Sequence, residues 1–332
     1  MRRNCLIAVG AAVLALAAAP YKVSQKVMVG GAGGFDYVYA DNSERKLYVP
    51  RTGAEGRVMV YDLDDFRQVG EIPGAKGVHG AAVSDKTHHG FASSNPVLMW
   101  DTKTLKTIKT IDVQGSPDGI MHDPFQDKIY VFSHRAPNVT VINAENGDVA
   151  GTIDLGGAPE QAASDGKGHI YIDLEDKDAI AVVDAKEMKK TGQYDLTGKG
   201  GGCAGLAMDV KNRILFASCR NPQNMVILKA EDGTVLTTLP IGAGVDGTVF
   251  NPKTMEAFSS QRDGTLTVVK EKSPTSFEVE ETVDTMPSAK TLTLDEKKDR
   301  IVLIGAEYAA PPAGGGRAQM KPDSFTILAV SR

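Results

Sequence analysis

An acidic or asparagine residue that closes a short apolar segment recurs through this chain at Asp41, Asp85, Asp123, Asp165, Asp209, Asn251 and Asp295. The intervals are 44, 38, 42, 44, 42 and 44 residues. A period near forty kept over a whole chain marks a repeat architecture, in which each unit buries its apolar faces only against its neighbours. Within a repeat the segments are short, β-branched and often alternating, and Gly, Pro, Asn and Asp separate them. That is the pattern of strands joined by hairpins. The third repeat shows all four parts. Gly119-Ile120-Met121-His122 leads to the turn at Asp123-Pro124, and Lys128-Ile129-Tyr130-Val131-Phe132 follows. Val139-Thr140-Val141-Ile142-Asn143 and Val149-Ala150-Gly151-Thr152-Ile153 complete it. Helical periodicity is missing from residue 21 onward.

Four antiparallel strands in about 40–45 residues describe one blade of a β-propeller. The third-strand phrase occurs seven times, beginning at Val58, Val97, Val139, Ile180, Met225, Leu266 and Phe325. The last copy has no fourth strand after it. The segment from Tyr21 to Val29 has the character of a fourth strand and stands at the other end of the chain. The expected fold is therefore an all-β, seven-bladed propeller spanning residues 18–332, closed by the N-terminal strand completing the last blade. Closure of this kind removes sheet edges that would otherwise pair with other chains.

The phrases Lys46-Leu47-Tyr48-Val49 and Lys128-Ile129-Tyr130-Val131, each followed by a Val-x-Val strand and a Gly-containing turn, resemble the YVTN repeat of YncE-like β-propellers. The resemblance covers residues 21 to 332. It implies an exported bacterial protein that acts as a ligand-binding or protein-interaction module. Blades five and six depart from the pattern, reading Leu215-Phe216-Ala217-Ser218 and Ala257-Phe258-Ser259-Ser260.

The N-terminus predicts the compartment. Met1-Arg2-Arg3-Asn4 is a basic start, Cys5 to Ala19 is apolar, and Ala15-Leu16-Ala17 supplies the small-x-small cleavage pattern of a signal peptide over residues 1–17. Cleavage after Ala19 would leave Pro20 first, so cleavage after Ala17 fits better. The apolar run is shorter than the ~20 residues of a membrane anchor, and no lipoprotein box surrounds Cys5. A periplasmic or secreted monomer is expected. Without Arg2 and Arg3 the chain carries 35 basic against 42 acidic residues, a charge of −7. That balance opposes sequence-independent nucleic-acid binding, which works by neutralising phosphates.

Five residues before each repeat's Asp or Asn stands one position at the start of the innermost strand. These positions hold Asp36, Gly80, Asp118, Glu160, Ala204, Asp246 and Lys290, with His79 next to the glycine. The loops between second and third strands reach the same end of the ring and add His134, Glu175, Arg220, Arg262 and Glu307. The expected site is an acidic channel mouth for a cation, a polyol, or a small-molecule or protein ligand. Oxygen donors at this density suit a hard divalent cation, with Asp36, His79, Asp118, Glu160 and Asp246 as candidate ligands. Inclusion of His79 or His134 admits a transition metal. The alternative is that these carboxylates only cap turns. The leading reading is a non-catalytic binding module. The second is a metal-dependent, lactonase-like hydrolase with a divalent cation in the channel and His134 as base; a redox role for the cysteines is a distant third.

Cys203 and Cys219 each lie eight residues from Lys211, so a hairpin centred there would oppose them and form a disulfide. The segment 308–323 is longer than its counterparts and is expected at the same end, as a lid carrying Arg317 and Lys321 or as a disordered loop. Other signals fail on context. Gly198-Lys199-Gly200-Gly201-Gly202 lacks the ending of a phosphate loop. Asn138-Val139-Thr140 falls on a predicted strand, and His88-His89 sits in a turn at the opposite end.

Overall fold

The protein is described by a computed structural model covering residues 19–53, 55–136, 138–312 and 318–332. The expected signal peptide and Arg317 lie outside these residues. Seven four-stranded antiparallel sheets follow one another along the chain, and the only helical element among the described residues is a 3-10 turn at Glu175–Lys177. Blades one to six span 39–73, 81–111, 117–153, 159–195, 203–240 and 245–284. In blade seven Lys22–Met28 pairs antiparallel with Thr326–Ser331, beside Arg300–Gly305 and Thr291–Asp295. The N-terminal strand does close the ring.

Strand sequences match their depth. Second and third strands such as Lys128–Ser133 and Val139–Asn143 are buried on both faces and read as continuous apolar runs. The outer strands Lys22–Met28 and Lys189–Asp195 alternate between exposed and half-buried residues, because one face meets solvent. Seven apolar clusters form the core, one between each pair of neighbouring blades. Blade two shows how variation is absorbed. Trp100 lies across Gly90, where a Cβ would stand 2.1 Å from the indole, so only glycine is compatible with that ring.

The repeating Asp marks the turn after each inner strand. Asp41 accepts hydrogen bonds from the amides of Ser43 and Glu44 at 3.0 and 2.9 Å, and Asp165 from those of Lys167 and His169 at 2.7 and 2.9 Å. Several of these residues also reach the next blade. Ser43 donates to Asp85 at 2.9 Å, Ser164 to Asp123 at 2.5 Å, and Arg45 pairs with Asp295 at 2.6 Å. The period in the sequence is thus a turn cap that doubles as an inter-blade tie.

The chain ends are fastened where blades six and seven meet. The Tyr21 hydroxyl donates to buried Glu256 at 2.7 Å, and Arg332 pairs with Glu256 at 2.6 Å and Glu280 at 3.0 Å. The Arg332 guanidinium also lies 4.3 Å from the centroid of the Tyr21 ring. Cys203 and Cys219 form the expected disulfide in blade five.

Candidate functional site

The inner strands of blades three to six carry a β-bulge near their starts, between Pro117 and Ile120, Pro159 and Ala162, Cys203 and Gly205, and Val245 and Gly247. The bulged stretches contain Asp118, Glu160, Ala204 and Asp246, the positions singled out by the repeat. A bulge bends its strand and re-aims a side chain. Asp36 and Lys290 instead precede the inner strands Tyr39–Asp41 and Thr291–Asp295.

Nine side chains from all seven blades meet there in a closed circuit. His79 Nδ1 lies 2.9 Å from Asp36 and 3.2 Å from Asp118 Oδ1. His134 Nε2 lies 3.2 Å from Asp118 Oδ2 and 3.5 Å from Glu160. Glu160 meets Glu175, which pairs with Arg220 at 2.9 Å. Arg220 bonds Asp246, Asp246 bonds Lys290, and Lys290 returns to Asp36 at 2.8 Å. Blade two contributes His79 because Gly80 is packed against Ile120 and Ser93. In blade five Ala204 offers no polar group, and Arg220 from the second strand Ile214–Arg220 takes its place. Arg262 and Glu307 stand apart from the circuit. They line a neighbouring cleft with Lys290, and Glu307 pairs with Lys321 at 3.0 Å. The described stem of the 308–323 loop is ordered by a bridge between Tyr308 and Met320.

Three further residues belong to this site and carried no periodic signal. The Tyr37 hydroxyl donates to Glu160 at 3.1 Å from the opposite side of the ring. Gln161 accepts from the amides of Leu206 and Thr248 at 3.0 and 2.9 Å and donates to the Thr248 carbonyl at 3.0 Å, tying blade four to blades five and six. Those inner strands approach so closely that a Cβ on Gly205 would stand 2.9 Å from the backbone of Gly247. Asp173, on a second strand, is fully buried, and neither carboxylate oxygen has a hydrogen-bond partner.

The protonation pattern follows from these contacts. The Glu160 contact, with Asp118 nearby, pushes His134 up to about 9 against the cost of burial. The Asp36 hydrogen bond likewise raises His79. Burial, then the neighbouring Glu175 and Asp118, lift Glu160 to about 7 although His134 opposes this. Contact with Glu160 and the Arg220 charge keep Glu175 below its usual range, so of this pair Glu160 holds the proton. Burial opposes ionisation of Asp36, yet His79 and Lys290 hold it low. Burial raises Asp118 and lifts Asp173 well above the usual carboxylate range.

His79 and His134 are shifted toward their protonated forms, so with Arg220 and Lys290 four basic groups face five carboxylates, and Glu160 is itself shifted toward its neutral form. The mouth is therefore less acidic than its residue list. Two triads, Asp36-His79-Asp118 and Asp118-His134-Glu160, present metal-ligating atoms within 4.8 Å of one another. Donors bound to one tetrahedral zinc at ~2.1 Å stand roughly 3.4 Å apart, close to the His134 contacts of 3.2 and 3.5 Å. A metal would have to displace the imidazole protons, so the two states compete. At about 9, metal-free His134 is a hydrogen-bond donor near pH 7 and not a base.

Comparison with known proteins finds no family model that matches this chain and no curated protein that matches it.

Proposed function

We propose that this propeller is a non-catalytic binding protein of the YncE-like kind, exported from the cell, which takes a polar ligand at the channel mouth. The observation that carries the reading is the closed circuit of nine side chains, to which every blade contributes. Its imidazoles are shifted toward their protonated forms and its carboxylates already have partners, which supports recognition by hydrogen bonding over proton transfer. A hydroxyl-rich or cationic molecule would exchange hydrogen bonds with Asp118, Glu160 and Glu175. The disulfide and the sequence of residues 1–17 support the exported setting.

Spermidine, a compact polycation, serves as the probe. Calorimetric titration should show saturable binding to the wild type and at least about a tenfold loss in Asp118→Asn, equivalent to ~1.4 kcal/mol. No binding, or equal binding to both, would remove the mouth as a cation site.

The two triads that share Asp118 favour a second reading, a metal-dependent hydrolase. There the metal would polarise a carbonyl or activate water. Stoichiometric zinc that raises the melting temperature, is stripped by EDTA and is lost in Asp118→Ala would support it. A protein whose melting ignores both zinc and EDTA would exclude it.

A further inference from the structure

Beside the circuit, on the same face, a cleft of about 1140 Å³ lies between blades six and seven. Its charge is opposite in sign to that of the chain as a whole. Lys26, Arg262, Lys290 and Lys321 line it, against the single carboxylate of Glu307, whereas the protein carries a net −5. Lys290 is spent on Asp36 and Asp246, and Lys321 on Glu307. Among the described residues Lys26 and Arg262 enter no ion pair and no side-chain hydrogen bond; Lys26 helps Lys321 hold the Glu307 carboxyl below its usual range, and the lining keeps an excess of cations over carboxylates. The remaining wall is largely apolar and partly aromatic, with Phe35, Met286, Pro287 and Tyr308.

The backbone around these groups is held firmly. The Arg262 amide donates to the Gly244 carbonyl at 3.0 Å, and the Ser288 amide donates to the Arg262 carbonyl at 2.8 Å. Ser288 itself is left-handed at φ 79°, a conformation unfavourable for a residue with a side chain. Its hydroxyl holds it there, donating to the Ala306 carbonyl at 2.7 Å and accepting from the Ala306 amide at 2.9 Å. On the far rim the Lys321 amide donates to the Glu307 carbonyl at 2.8 Å. Strain held by surrounding bonds is a feature of ligand clamps. A concave space that combines apolar walls with a few charged groups is how small-molecule sites are built.

We propose that this cleft binds a small organic anion with an apolar or aromatic body, its charge met by Arg262 and Lys26 and its body laid against Phe35, Met286 and Tyr308. The site is independent of the reading given to the channel mouth.

The probe is 1-anilinonaphthalene-8-sulfonate, an aromatic anion whose fluorescence rises in apolar surroundings, compared with N-phenyl-1-naphthylamine, its uncharged analogue. Fluorescence titration of the folded protein should show one saturable site that prefers the anion by about tenfold or more. Raising salt from about 0.1 to 0.5 M should weaken it several-fold. Arg262→Glu should reduce anion affinity at least about tenfold, with an unchanged far-ultraviolet circular dichroism melt, since the side chain is exposed. Lys26→Glu provides the same reading on a separate strand should the first variant melt early. Asp118→Asn, at a residue that does not line the cleft, should leave the titration unchanged, so failure at the mouth and failure here are distinguishable. Equal affinity for charged and uncharged probes, or full binding by both charge-reversed variants, would overturn the proposal.

Discussion

Cys203 and Cys219 face each other because Ala204 bulges out of the ladder between them. From Asp209 opposite Ile214 to Gly205 opposite Ser218 the hairpin keeps one register, which would carry Cys203 past Cys219 to Arg220. The extra residue at Ala204 shifts the pairing by one and brings the two cysteines opposite. A hairpin centred on Lys211 predicts the same pair by a different geometry. The pairing is therefore right, and the assumed ladder is not.

The disulfide cross-links residues 16 apart in sequence, a short loop. Loss of the bridge should cost about 2–4 kcal/mol by the chain-entropy argument. Equilibrium denaturation of a Cys203→Ala/Cys219→Ala variant should show that drop, and unreduced peptide mapping of the wild type should find the two peptides linked. Free thiols at both positions would refute the register.

Glu256 should be the residue whose loss most loosens the closure. Its buried carboxylate receives the Tyr21 hydroxyl and the Arg332 guanidinium, and both lie at chain ends. Hydrogen bonds to a charged group contribute roughly 1.5–3 kcal/mol each, and Glu256→Ala should lower unfolding free energy by about 2–4 kcal/mol. The check is a shift of the urea midpoint at constant slope.

Among the described residues Lys290 is the one cation that bridges Asp36 and Asp246, and it is largely buried. Lys290→Met would leave two buried carboxylates with a partner removed, and should cost about 3–5 kcal/mol. Adding Asp246→Asn should restore part of this, and a double-mutant cycle measures the coupling.

Stability should fall between pH 6 and pH 9.5. His134 and His79 are raised above their ordinary value, so their contribution is complete below about pH 6.5. It is lost as pH rises, for His134 through about 9. Glu160, raised to about 7, adds a term of the same sign, lost between its ordinary value and that one. Thermal melts across this range should show the decline, and His134→Gln should flatten its alkaline part. A melting temperature independent of pH over this range would contradict the protonation pattern.

The blade count, the closing strand and the ring positions are legible in the sequence because each follows from period. A turn-capping Asp every forty-odd residues fixes where inner strands begin, and counting back from it reaches Asp118, Glu160 and Asp246. What period does not carry is one-off geometry. Tyr37 reaches from blade one to blade four and Gln161 from blade four to blades five and six, and contacts between residues so far apart in sequence leave no local mark. Asp173 sits at a second-strand position that reads as core, and its burial beside Glu160 depends on how two blades pack. The sign of the mouth was hidden for a related reason. Counting carboxylates gives an acidic ring, whereas burial and proximity shift His79, His134 and Glu160 toward their protonated forms.

The closing strand makes one sheet depend on two distant segments of the chain. Ser24 bonds to Ala329 across 305 residues, and among the described residues Lys22–Met28 pairs only with Thr326–Ser331. That sheet can be completed only when both of these distant segments are present. Contacts of such long range are slow to form. Blades one to six are each built from one contiguous stretch of chain, whereas the seventh joins two, and without Thr326–Ser331 the strand Lys22–Met28 would lose its link to the rest of its sheet.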